Sequence, residues 1–216
     1  EALNYYQSVL NGNIDIGDGS GFVRPSLNMT GINDDAEDIC KAQFRNIAMA
    51  FQANITHTAS FQFMSAEDQS LKINFPSIQP YMGEFGSGDK LNYNETRSHV
   101  SSHNESNLFD SQTRWYNMMV AYFLEQLSQR DDLAFGGKLI DNTLVLLMSE
   151  VGGGNHQLEN PGVYVIGGAG GAINGGTAID CAGAGMSNLF LDISGAFGFN
   201  WGSYGNSFGG INGFLV

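Results

Sequence analysis

Two stretches carry residue types that could do chemistry. The first is Ser149–His156, where Glu150 and His156 flank Gly152, Gly153 and Gly154. It follows directly on the apolar run Leu144–Met148. In open α/β sheets ligands bind in the crevice beyond the carboxyl ends of the strands, so a carboxylate and an imidazole on a Gly-rich loop at such an end form the most site-like pair in the chain. The second stretch is Arg97–Glu105, with His99 and His103 four residues apart. On a helix these two imidazoles share one face and can grip one metal ion. The flanking Ser and Asn do not favour a helix and there is no HExxH, so a polar loop with hydrogen-bonding histidines is the competing reading. His57 has no carboxylate neighbour and reads as a hydrogen-bonded edge or core histidine. Asp15 and Asp18 lack the spacing of a calcium loop and read as an acidic turn.

Composition limits the partners. The 216 residues include 9 Lys and Arg against 22 Asp and Glu, a net charge of −13. No basic patch can be large, which argues against nucleic acid or an anionic membrane surface. No apolar run approaches the length of a membrane span. The chain has no initiator Met and opens on the helix-like EALNYYQSVL, which points to the C-terminal part of a longer precursor. Cys40 and Cys181 permit one disulfide in an exported protein and are otherwise two small buried thiols. Sequons at Asn28, Asn54, Asn94 and Asn104 matter only in a host that glycosylates.

The elements that must position these residues follow from periodicity. One domain over 1–216 is expected, with an irregular lead-in at 1–33, a long polar insert at 64–109 and a Gly and aromatic tail at 199–216. A helix is predicted over Asn33–Ala53, with Asn33 or Asp34 as cap and Cys40, Phe44, Ile47, Ala48 and Phe51 on its stripe. Thr56–Phe63 alternates like a strand. Asp110–Gln129 reads as a second helix capped by Asp110 or Ser111. It is apolar over most of its circumference, with Trp115, Met118, Met119, Tyr122, Phe123 and Leu127 as core. Asp141-Asn142 is turn chemistry. Leu144–Met148 reads as a strand buried on both faces, and Val163–Ile166 as another. The Gly-rich region Gly167–Gly185 holds neither G-x-G-x-x-G in context nor a P-loop, which rejects a nucleotide cradle. Ser187–Phe197 reads as a last helix capped by Ser187. The alternation of strands and helices predicts a three-layer α/β/α fold with a mostly parallel sheet.

From Gln43 onward the chain resembles the bacterial family named after its HxxSHH motif, whose C-terminal half looks like the alkaline-phosphatase and sulfatase superfamily. The likeness rests on QFRNIAMAFQANIT, on His99–Asn104, on WYNMMVAYFLEQL, on KLIDNTLVLLMSE and on His156–Gly167. It implies an alkaline-phosphatase-like fold, an exported protein of the extracellular or periplasmic space, and metal-assisted hydrolysis of phosphate or sulfate esters. On that reading a divalent metal (zinc, calcium or magnesium) is the cofactor, His99, His103, Glu150 and His156 are its ligands, and Glu150 and His156 are the catalytic groups. Glu159 is a further candidate. The sequence departs from the pattern where Val151, Leu158 and Asn104 stand for expected imidazoles. A second reading follows from those losses: a non-catalytic extracellular assembly protein, associating with its own copies through the Gly-rich region and the tail.

Overall fold

The computed structural model describes residues 35–63, 75, 77–78, 98–103, 107–153, 155–158, 160–181 and 183–216. Helix α1 spans Ala36–Gln52. Glu37 and Asp38 lie in its first turn, where the helix dipole favours negative charge. Its N-cap is Asp35, which makes no side-chain capping bond; Asn33 and Asp34 lie outside the described residues. Asn54, with φ 54°, turns the chain out of the helix in the left-handed region.

Helix α3 is the long one, Asn107–Gln129, and is preceded by the short α2, Ser98–Ser102. The expected caps Asp110 and Ser111 therefore sit inside the first turns of α3 rather than before it. Trp115, Met119, Phe123 and Leu127 recur every four residues and are buried on one face. Asn117, Ala121, Glu125 and Ser128 are exposed, so burial is one-sided instead of all round. That face meets the stripe of α1: Phe44 stacks on Phe123 with ring centroids 4.8 Å apart. Cys40, Ala48, Phe75, Ile78 and Leu139 complete the core. Phe75 and Ile78 come from the stretch expected to be a polar insert, so part of it is core.

Thr56–Phe63 forms no strand. Its alternation has another cause: Phe61 and Phe63 both turn their rings onto Phe44, at 4.6 and 6.0 Å. A single helical turn, α4 (Leu139–Asn142), stands where a plain turn was expected. It leads into β1, Val145–Met148, which pairs with β2, Val163–Ile166. The pairing is antiparallel, with Val145 opposite Ile166 and Met148 opposite Val163.

The three-layer α/β/α fold with a mostly parallel sheet is therefore overturned, and with it the alkaline-phosphatase-like architecture. Among the described residues the sheet has two antiparallel strands. The physical reason lies between them. A parallel pair needs a crossover, usually a helix. Residues 149–162 carry Gly152, Gly153, Gly154 and Pro161 and no helical period. The chain simply turns back, closed by Gly152 N–H donating to Gln157 O at 2.7 Å. Nor is β1 buried on both faces: its residues are half-buried and Met148 is exposed.

After β2 the chain makes a 3-10 turn at Ala169–Gly171 and reaches α5, Met186–Ala196. The N-cap of α5 is Gly185, not Ser187. Ser187 Oγ instead donates to Asn206 Oδ1 at 2.7 Å. The tail lies on its own chain: Phe214 is buried, Ile173 bridges Leu215, and Ile211 N–H donates to Asp192 Oδ2 at 2.5 Å. Cys40 and Cys181, the candidate disulfide pair, stand as free thiols, Cys40 buried and Cys181 exposed.

Candidate functional site: a cluster of three histidines

The helical reading of Arg97–Glu105 holds over its centre. His99 lies in α2 and His103 directly after it, so the four-residue spacing brings their imidazoles together edge to face. Their ring centroids are 4.7 Å apart and their Nε2 atoms 3.0 Å apart. Between the two histidines Ser101 points the other way. It is buried and its hydroxyl donates to Oε1 of the buried Gln112 on α3. Ser102 Oγ donates to the carbonyl of His99 at 2.7 Å. Of these two serines, which looked like loop residues, Ser101 ties the histidine-bearing turn to the long helix and Ser102 closes the turn on itself.

The third imidazole arrives from the Gly-rich loop after β1. His156 adopts φ 61°, a left-handed backbone that costs a residue with a Cβ about 1–2 kcal/mol. Its N–H donates to Gly153 O at 3.0 Å, which holds the turn. The result places His156 Nε2 3.3 Å from His103 Nε2, with the two rings nearly parallel at 19°. One ligand nitrogen from each of the three histidines falls within 4.8 Å of the others.

Hydrogen bonding alone serves this arrangement poorly. A neutral imidazole has one N–H and one in-plane lone pair. His103 Nε2 faces two other Nε2 atoms and can satisfy one of them well. A cation between the three satisfies them all. The spacing also suits it: tetrahedral zinc with bonds of about 2.0–2.1 Å places its ligands about 3.3–3.4 Å apart. The Nε2 separations of 3.0 and 3.3 Å lie close to that. His99 is half-buried while His103 and His156 are exposed, so one side of the cluster faces solvent.

Three of the four expected ligands thus converge. Glu150 does not join them: it is exposed at the end of β1 and outside the cluster, which holds no carboxylate or thiolate among the described residues. Asn104 and Glu159 lie outside the described residues. Val151 is half-buried and Leu158 exposed on the same loop. His57 is apart from the cluster, exposed and bonded to Asn54 Oδ1.

A half-buried polar centre that sequence reasoning missed sits on α1. Glu37 accepts hydrogen bonds from Lys41 Nζ at 2.6 Å, from Trp115 Nε1 at 3.0 Å and from Ser77 Oγ. Burial pushes its carboxyl up, but these donors and the Lys41 charge outweigh that and hold it below its ordinary value of 4.5. Its signals were present: Lys41 four residues on, and a core Trp whose N–H needs an acceptor. Every one of its oxygens is committed to the core, so Glu37 is structural.

No protein-family model, no curated protein and no solved structure matches the chain.

Proposed function

We propose that this chain binds a divalent transition-metal ion, zinc before others, between His99, His103 and His156, and that the centre serves metal-assisted hydrolysis of phosphate or sulfate esters. The observation that carries the reading is the meeting of three imidazole nitrogens within 4.8 Å. An all-nitrogen donor set selects zinc, copper or nickel, whereas calcium and magnesium take oxygen ligands. Three protein ligands with one side open is the pattern of catalytic zinc sites, while structural ones close with four. When bound, the ion would supply Lewis-acid polarisation of an ester oxygen. The chain's own residues do the rest. The α2 turn fixes His99 and His103 and the loop delivers His156, while Glu150, on that same loop but outside the cluster, is the carboxylate that the resemblance offers to take the proton of the attacking water. The resemblance to the HxxSHH-motif family supports the same reading, and export to the extracellular or periplasmic space goes with it.

A second reading has its own support. The cluster joins segments 53 residues apart in sequence, as a structural staple does. A non-catalytic role as an extracellular assembly protein would use the same centre for that purpose.

Zinc competition against a chromogenic chelator tests the first part, with His103→Ala and His156→Ala as controls. Loss of a ligand is expected to weaken binding by more than the roughly 10–100-fold seen on losing an outer-sphere partner. Binding that both substitutions leave unchanged would remove the metal centre. Turnover of aryl phosphates and aryl sulfates by the zinc-loaded protein, abolished in Glu150→Gln, tests the second part. Zinc binding without turnover selects the staple.

A further inference from the structure

His99 and His103 ride on α2, a helix of five residues. A helix that short makes too few backbone bonds to hold its own shape, so its direction must be set from outside. Part of that hold is the bond from the Ser101 hydroxyl to Gln112 Oε1 on α3. Both residues are 1% exposed. Three residues further along α3, the equally buried Trp115 donates to Glu37 on α1 at 3.0 Å. The imidazoles are thus joined to the core through α2, Ser101, Gln112 and α3.

Gln112 is not the side chain that would hold α2 most strongly. Its Nε2 is buried and has no hydrogen-bond partner among the described residues. An unpaired donor carries the full desolvation penalty of the group. Apolar side chains of similar volume at both positions would pack α2 on α3 without that penalty. What they would lack is direction. Apolar attraction is non-directional and lets a short helix roll, whereas a hydrogen bond weakens steeply as its angle closes. A roll of α2 would carry the Nε2 atoms of His99 and His103 away from His156.

We infer that Ser101 and Gln112 are positioning residues of the metal centre: their buried hydrogen bond sets the rotation of α2 and so aims His99 and His103 at the point where His156 arrives. Their role presupposes the metal site proposed above. Neither is among the three ligands, and both act through the imidazoles, as partners outside a ligand shell do. If loss of the bond leaves α2 aligned only about 1–10% of the time, the apparent Kd rises by the reciprocal, about 10–100-fold.

Zinc titration of the folded chain against a chromogenic chelator tests this, on the parent, on Ser101→Ala and on the double variant Ser101→Ala/Gln112→Met. Thermal denaturation of the same metal-free proteins, followed by circular dichroism, separates affinity from stability. Replacing both polar partners together also removes the unpaired donor, so the metal-free double variant should melt close to the parent. Its zinc Kd should still be about 10–100-fold weaker, and Ser101→Ala should weaken binding to a similar degree. A parent that binds zinc and two variants that bind it as tightly would overturn the positioning role and leave the metal site standing. Affinity lost only where circular dichroism shows an unfolded chain would overturn it as well. A parent that binds no zinc overturns the site and the positioning role together.

Discussion

Single side chains decide the behaviour of two titrating groups in the core. Glu37 has a folded-state pKa below its ordinary value, so below pH 4.5 the unfolded chain binds the proton more readily than the folded one. Its contribution to stability is therefore complete above that value and is lost as pH falls through the folded pKa. Stability followed by tryptophan fluorescence should therefore fall less steeply with pH below 4.5 in Glu37→Gln, which has no carboxyl to protonate, and a slope equal to the parent's would contradict this. Cys40 differs. Burial first, then the neighbouring Glu37, pushes its thiol up to about 12, partly offset by Lys41. The thiolate is the reactive form. Alkylation of the native protein should label Cys181 alone, and Cys40 should react only on unfolding. Labelling of both thiols at equal rates in native buffer would contradict the buried position of Cys40.

At the scale of elements, the helices were legible and the sheet was not. The stripe Cys40, Phe44, Ala48 and the series Trp115, Met119, Phe123, Leu127 have a period that only a helix satisfies, and both helices form. Strand segments Val145–Met148 and Val163–Ile166 were legible too, because short β-branched and apolar runs between turns leave few alternatives. Their direction was not. Apolar runs suit a buried parallel strand, yet the intervening Gly-rich loop cannot build a crossover helix and sends the chain straight back. The join between α4 and β2 depends on two glycines. A Cβ on Gly167 would lie 2.2 Å from Thr143 O, and one on Gly168 2.1 Å from Asp141 O. Gly168→Ala must push these backbones apart and break the bond from Gly168 N–H to Ile140 O, now 2.9 Å. It should destabilise by about 2–4 kcal/mol, in the upper range for single substitutions. Chemical denaturation measures this, and a variant as stable as the parent would show that the close approach is relaxed. The candidate site was half legible. The spacing of His99 and His103 carried its own geometry, whereas the arrival of His156 depends on a left-handed turn that no local pattern announces.

For the whole molecule, the histidine cluster joins the turn carried by α3 to the loop carried by the β1–β2 pair. A ligand that binds only the folded form stabilises it by mass action, about 2.7 kcal/mol at one hundred times its Kd. Zinc should therefore raise Tm, a chelator should reverse the rise, and His156→Ala should lack it. Calcium or magnesium at the same excess should leave Tm unchanged, because the donors are nitrogens.

X-ray absorption spectroscopy of the zinc-loaded protein measures the centre itself. The expected result is a four-atom N/O shell at about 2.0–2.1 Å, three of its members imidazole nitrogens marked by the outer-shell scattering of their rings and the fourth a solvent oxygen. In His156→Ala one nitrogen should disappear from that shell. A shell of oxygens alone, or three nitrogens that persist in the variant, would contradict it.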